Sequence, residues 1–103
     1  MKEWTSEEAS AFLQNAKSGL LYFYTPLCGT CQVASKMLEV VAAMNPHVEI
    51  GKINLNYAPE FAEIFAIESV PCLVFIREGR AIDSVYAFRS VPYLLEKLQT
   101  VLQ

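Results

Sequence analysis

Two cysteines separated by two residues, Cys28 and Cys31, carry the clearest chemistry in this sequence. They lie between a short apolar and aromatic run, residues 20–24, and a run of helical character, residues 32–44. This spacing between a strand and a helix is typical of a redox dithiol. At a helix start, unpaired N–H groups and the helix dipole favour the Cys28 thiolate, the nucleophile in disulfide exchange. Cys31 follows on the same helical face, close enough to form a disulfide with Cys28.

A structural or metal-binding pair is the competing interpretation of these two cysteines. A zinc site needs four ligands, and only Cys72 and His47 remain to complete one. We therefore predict no metal, and we expect His47 to be an exposed loop residue. Cys72 begins an apolar run, where a buried inert thiol is the usual outcome, and a third redox or ligand thiol is the alternative.

The composition predicts one globular domain. The chain has 103 residues, 53% of them hydrophobic, and a net charge of −3. This length fits a single domain, residues 1–103, with enough apolar residues for its core. The acidic balance argues against a nucleic-acid or membrane partner. Acidic residues near the start and short apolar runs argue against a signal peptide and a membrane span. We therefore expect a cytoplasmic monomer.

Hydrophobic periodicity and turn residues predict the order α-β-α-β-α-β-β-α. The predicted strands are residues 20–24, 48–55, 72–76 and 81–86, and the predicted helices are residues 5–17, 32–44, 59–65 and 90–102. The first two strands are joined by a helix and should be parallel, whereas the last two should form an antiparallel hairpin through Glu78-Gly79.

The sequence also predicts how two of these helices begin, end and pack. Thr5 and Glu8 form a capping box for the first helix, and Gly19 is expected to end it. Ser90 is expected to cap the last helix. Helical spacing in residues 32–44 predicts one apolar face made of Val33, Met37, Leu38, Val41 and Met44.

Several motifs occur together in one order. Cys-Gly-Thr-Cys follows the first long strand, Lys52-Ile53-Asn54 lies in the second, and Ser69-Val70-Pro71 precedes the hairpin with its Glu78-Gly79 turn. Over nearly the whole chain this pattern resembles the thioredoxin family. The resemblance implies an α/β fold with three layers, α/β/α, and a mixed four- to five-stranded sheet flanked by helices. Few residues around Trp4 are left for the family's first strand, so we expect four main strands.

The resemblance also implies roles for individual residues. Cys28 would be the attacking thiol and Cys31 the resolving one, joined by a disulfide when oxidised. Val70-Pro71 would be a cis peptide facing them, and Gly29 would support the dithiol. Substrate proteins with disulfides would dock on Leu27, Val70 and Ala87. Electrons would come from a thioredoxin-reductase-type donor, and the chain itself would carry no cofactor.

The sequence departs from the family pattern around the dithiol. Thr30 replaces the usual Pro, which adds an N–H and a hydroxyl as possible donors to a thiolate. Tyr22 replaces a buried Asp, which removes a negative charge and the base expected to deprotonate the resolving cysteine. Both changes stabilise the reduced form and predict a more oxidising potential. Lys52 is either a snorkelling lysine or a partner of the dithiol.

The leading functional hypothesis is a thiol-disulfide oxidoreductase acting as a protein-disulfide reductase. A redox-responsive adaptor or sensor, which uses the fold to bind a partner, is the alternative that the missing carboxylate favours. Glutathione-linked chemistry of the glutaredoxin kind is a third hypothesis. It is the weakest, because the usual Pro-Tyr between the two cysteines is absent.

Overall fold

The computed structural model describes residues 1–102, which alternate between strand and helix over most of their length. The strands are β1 (Lys2–Glu3), β2 (Gly19–Tyr24), β3 (Glu49–Asn54), β4 (Cys72–Arg77) and β5 (Arg80–Val85). The helices are α1 (Ser6–Gln14), α2 (Gly29–Met44), α3 (Glu60–Ile64) and α4 (Val91–Leu102), with a 3-10 turn at Leu55–Tyr57. The predicted order of elements is confirmed, and β1 and the 3-10 turn are added to it.

The five strands form one mixed sheet in the order β1-β3-β2-β4-β5. As predicted, β2 is parallel to β3, and β4 and β5 form an antiparallel hairpin. The sheet has four strands of six residues, and β1 adds a short edge strand of two. Phe23 of β2 pairs with Cys72 of β4. This register brings the loop after β2, with Cys28, next to the loop before β4, with Pro71.

Apolar side chains cover both faces of the sheet. Successive side chains of a strand point to opposite faces, and β2 is buried on both. Leu20 and Tyr22 belong to the core that includes α2 and α4, whereas Leu21 and Phe23 belong to the core that includes α1 and α3. The predicted three-layer α/β/α architecture is therefore confirmed.

Helix α1 is capped as predicted, but it ends in a different way. The Thr5 hydroxyl accepts the Glu8 N–H at 3.1 Å, and the Glu8 carboxylate accepts the Thr5 N–H at 2.9 Å. The helix has ended by Ala16, which has a left-handed φ of 54°. The prediction that Gly19 ends this helix is wrong. Gly19 begins β2, where the Glu49 carbonyl of β3 leaves no room for a Cβ.

The buried face of α2 also differs from the predicted one. Val33 and Met44, which we expected in the core, are 56% and 59% exposed. Apolar residues occupy two adjacent stripes of α2, and helical periodicity alone does not tell which stripe faces the sheet. The stripe that does so consists of Cys31, Ala34, Leu38 and Val41.

Within residues 1–102, no helix has the length and apolar character needed to cross a membrane.

The close contact between Gly51 of β3 and the Trp4 ring predicts a sharp difference between two glycine positions. A Cβ at Gly51 would overlap the indole, so Gly51→Ala is expected to lower the free energy of unfolding by about 1–3 kcal/mol. A Cβ at Gly29 meets no atom within 4 Å. Gly29→Ala should therefore be neutral or stabilising by up to about 1 kcal/mol. Urea denaturation measures both, and equal losses in the two variants would contradict the prediction.

Candidate active site at the Cys28–Cys31 dithiol

The two cysteines lie where the loop after β2 leads into α2. Cys28 is the N-cap residue of α2 and has an extended backbone, with φ −116° and ψ 107°. Cys31 lies in the first turn. Their Cα atoms are 5.2 Å apart, and the two sulfurs form a disulfide. Cys28 is half-buried, whereas Cys31 is only 2% exposed. The more exposed of the two cysteines is thus the one at the helix start.

The first turn of α2 directs two donors at the sulfur of Cys28. The backbone N–H of Cys31 lies 3.1 Å from Cys28 Sγ, and the Thr30 hydroxyl lies 3.4 Å from it. The hydroxyl contact agrees with the expectation for Thr30. The backbone donor, however, is the N–H of Cys31 rather than that of Thr30. Hydrogen bonds of this kind favour the charged form of a thiol once the disulfide is reduced.

The loop before β4 completes the surroundings of Cys28. Its Val70-Pro71 peptide bond is cis, as the resemblance implied. The Val70 carbonyl oxygen lies 3.9 Å from Cys28 Sγ. Val70 and Pro71 are half-buried and adjoin the exposed side of the dithiol.

The third cysteine lies on the other side of the sheet. Cys72 has no exposed surface and belongs to the core that includes α1 and α3, whereas Cys31 lies on α2. Burial raises the pKa of the Cys72 thiol to about 11, and a hydrogen bond with Tyr86 acts in the opposite direction. Cys72 therefore has the surroundings expected of an inert thiol.

His47 is the other residue that a zinc site would have needed. His47 is exposed in the loop between α2 and β3, as expected. In the described part of the chain, no group of three or more His, Cys, Asp or Glu side chains is arranged to hold a metal ion.

Tyr22, at the position of the family's buried Asp, is fully buried behind the first turn of α2. Its hydroxyl donates to the Cys31 carbonyl at 2.9 Å and lies 2.9 Å from the Ser35 hydroxyl. Burial raises the pKa of Tyr22, and the bond with Ser35 opposes this shift. Tyr22 is therefore a neutral donor at physiological pH. We did not expect Ser35 at this site from the sequence, although its position one turn after Cys31 is a usable signal.

Lys52 takes part in a second, outer set of contacts. Its Nζ lies 4.7 Å from the centre of the Tyr24 ring, a cation–π distance, and the Tyr24 hydroxyl donates to the Glu3 carboxylate at 2.8 Å. Burial and the Glu3 carboxylate raise the pKa of Tyr24 to about 12. Lys52 also lines a depression of about 450 Å³ that reaches both cysteines. The contact that Lys52 makes is thus with the Tyr24 ring, and Lys52 lines the same depression as the two cysteines.

An apolar depression of about 370 Å³, which includes Thr30 and Pro71, lies between α2 and the segment that follows β5. We call it the α2–β5 groove. Of the predicted docking residues, Ala87 lines this groove, and Leu27 is fully exposed in the loop before Cys28. Val33, Met37 and Arg89 also line this groove, although we did not expect them there from the sequence. The groove is lined by Thr30, Val33, Ala34, Met37, Pro71, Tyr86, Ala87, Phe88 and Arg89. A depression of about 480 Å³ around Trp4 and Lys17 does not include the dithiol.

A family model described as Thioredoxin matches residues 1–100. The chain belongs to the thioredoxin family. Thioredoxin-like protein YusE of Bacillus subtilis strain 168 is 52% identical over 80 residues, which are 78% of this chain and 76% of that protein. Thioredoxin of Chlamydia pneumoniae is 33% identical over 92 residues, 87% of each chain.

Two solved structures show the same fold. A mutant thioredoxin from Halobacterium salinarum has a TM-score of 0.84 and 19% identity over all of this chain and 90% of that one. Mitochondrial thioredoxin 3 from Saccharomyces cerevisiae, in its oxidised form, has a TM-score of 0.83 and 18% identity over 98% of this chain and 95% of that one. Family membership and the paired cysteines together assign a general thiol-disulfide oxidoreductase activity on disulfide-containing substrates.

The contrast between Cys28 and Cys72 predicts selective alkylation. In reduced Cys31→Ser protein, the iodoacetamide reaction of Cys28 should reach half its plateau rate below about pH 8.5, the value for an ordinary cysteine. The raised pKa of Cys72, about 11, keeps this buried thiol neutral and unreactive over that range. Mass spectrometry of the alkylated peptides across pH measures both sites. An ordinary or higher midpoint for Cys28 would remove the basis for a helix-stabilised thiolate.

Proposed function

We propose that this chain is a thioredoxin-like protein-disulfide reductase that acts through Cys28 and Cys31. The observation that carries the proposal is the asymmetry of the pair. Cys28 is accessible at the N-cap of α2 and receives two hydrogen-bond donors, whereas Cys31 is buried beneath it. Only the exposed sulfur can meet a protein substrate, so Cys28 is assigned the attack and Cys31 the resolving step.

The proposed reaction transfers two electrons from the dithiol to the substrate disulfide. The Cys28 thiolate attacks one substrate sulfur, the substrate S–S bond breaks, and the other substrate sulfur leaves as a thiolate that takes up a proton. The Cys31 thiol then loses its proton, and its sulfur attacks Cys28 Sγ. The mixed disulfide breaks, the Cys28–Cys31 disulfide forms, and the second substrate thiol is released.

Residues around the pair are given supporting roles in this proposal. Gly29 leaves the approach to Cys28 open, because no side chain stands there. Leu27, Val70 and Ala87 provide apolar surface for the substrate segment, and Thr30 and the N–H of Cys31 stabilise the attacking thiolate. A thioredoxin-reductase-type partner returns two electrons to the disulfide, and the protein works as a cytoplasmic monomer.

Insulin reduction tests the proposed activity. With dithiothreitol as electron source, the wild-type chain should accelerate insulin precipitation, because reduced Cys28 attacks the insulin disulfides. Cys28→Ser should lose this acceleration. Reduced Cys31→Ser protein, mixed with insulin after dithiothreitol has been removed, should instead accumulate a mixed disulfide, since the resolving thiol is absent. The matched control is Cys72→Ser, whose thiol lies in the opposite core. Equal loss of acceleration in Cys72→Ser and Cys28→Ser would contradict the assignment.

A redox-responsive adaptor is the second candidate, and Tyr22 is the observation that favours it. A neutral, buried tyrosine provides no base for the resolving step. Absence of insulin reduction in the wild-type chain, with disulfide formation still intact, would support the adaptor and reject the reductase.

The exchange of a carboxylate for Tyr22 predicts an oxidising shift of the dithiol. We expect a potential less negative than thioredoxin's roughly −270 mV, because no buried anion opposes the thiolate. Tyr22→Asp should move it to a more negative value by at least about 30 mV, equivalent to roughly 1.4 kcal/mol. Redox titration against glutathione measures both proteins at pH 7. Tyr22→Phe removes the hydroxyl without adding charge. It separates the loss of the hydroxyl from the gain of a negative charge and should shift the potential less. A less negative value for Tyr22→Asp would refute the electrostatic explanation.

A further inference from the structure

The surface around the dithiol is positively charged, although the whole chain carries a net charge of −3. Arg89 is the one charged residue among those that line the α2–β5 groove. On the opposite side of the dithiol, the depression that includes Lys52 has two basic residues, Lys36 and Lys52, against one acidic residue, Glu39. Both sides therefore attract negative charge, and one side does so through a single guanidinium.

The position of Arg89 is fixed by its backbone and by an aromatic ring. Arg89 lies in the short connection between β5 and α4, where it has a left-handed φ of 61°. Its guanidinium carbon lies 4.6 Å from the centre of the Tyr93 ring, a cation–π contact that restricts the movement of the side chain. A guanidinium held in this way loses less entropy when it binds a partner than a freely moving lysine does.

The Arg89 guanidinium also remains available for a carboxylate from outside the chain. Among residues 1–102, Lys97 and Asp83 form a salt bridge, and Arg89 takes no part in it. Glu68 is an acidic residue of the nearby loop, but it does not line the groove. The planar guanidinium offers paired N–H donors that match the two oxygens of a carboxylate.

We propose that Arg89 determines substrate specificity, by selecting protein disulfides whose reacting cysteine is flanked by Asp or Glu. This inference rests on the proposed function and adds a substrate class to it. When a substrate cysteine is bonded to Cys28, an extended segment advances about 3.3 Å per residue. Its neighbouring residues then extend along the groove, from Thr30 beside Cys28 Sγ towards Arg89. An acidic side chain there meets the guanidinium, whereas a basic one is repelled.

Matched peptides test this selection. Each peptide has one cysteine activated as a 2-pyridyl disulfide, with Glu, Gln or Lys on both sides of the cysteine. The Cys28 thiolate attacks the peptide sulfur and releases 2-thiopyridone, and Cys31 then releases the peptide thiol. Stopped-flow absorbance of reduced protein gives the rate for each peptide. Division by the rate with free dithiothreitol removes differences in the intrinsic reactivity of the peptides.

The readout is the ratio of the corrected rates for the Glu and Gln peptides. For wild-type protein at low salt we expect a ratio of about three to five, the size of an exposed ion-pair effect, falling as salt is added. Arg89→Gln should bring the ratio close to about one, and Arg89→Lys should retain part of it. Arg80→Gln, which makes the same charge change at the opposite end of β5, should keep the wild-type ratio.

A ratio near one in wild-type protein, or an equal ratio in wild type and Arg89→Gln, would overturn the proposal. Equal losses in Arg80→Gln and Arg89→Gln would also overturn it, because the effect would then follow net charge alone. A corrected rate for glutathione disulfide above that for the Glu peptide, with the same dependence on Arg89, would assign the site to a small anionic disulfide instead. Failure of the proposed function is distinguishable, since it would abolish insulin reduction, whereas the peptide ratio measures only the first attack by Cys28.

Discussion

The hydrogen bond from the N–H of Cys31 to Cys28 Sγ is the interaction on which the chemistry of this protein depends. The first N–H groups of a helix have no partner within it, and here a sulfur takes the place of the usual capping oxygen. The cap therefore serves the fold and the reaction together. It satisfies a backbone donor in the disulfide form, and the same donor faces a thiolate after reduction. This arrangement requires Cys28 to lie just before the first turn of α2, with an extended backbone.

Strand β2 of the sheet fixes the position of Cys28 before α2. This strand is central, paired on both sides, and buried on both faces, so the position at which it ends is well determined. Tyr22 adds a direct link from β2 to the first turn of α2, because its hydroxyl donates to the Cys31 carbonyl. Such a hydrogen bond contributes about 1 kcal/mol. This contact connects the central strand to the turn that carries the Cys31 N–H.

Local signals in the sequence predicted the parts of the structure that local chemistry determines. Three such signals each predicted one local structure, which the protein adopts: the spacing of the two thiols, the Thr5–Glu8 capping box and the apolar run of β2. Resemblance to a family supplied the three-layer arrangement and the cis peptide. The rotation of α2 was not predictable from periodicity, because two of its stripes are apolar and the sheet selects one. The fixed position of Arg89 escaped the sequence analysis for a related reason. It depends on a left-handed backbone and a contact with Tyr93 that appear only after β5 and α4 are joined.

The replacement of a buried carboxylate by Tyr22 changes the electrostatics of the dithiol while preserving the packing around it. A buried anion needs compensation by charge or several donors, whereas a phenol needs only one acceptor and one further partner. Tyr22 has both, in the Cys31 carbonyl and the Ser35 hydroxyl, and no buried side-chain N or O atom of residues 1–102 lacks a partner. The position behind the disulfide is thereby uncharged, while three basic side chains and one acidic side chain line the depressions beside it. A thiolate formed at Cys28 therefore experiences a more favourable field than it would beside an ionised carboxylate, and the same field attracts an acidic partner.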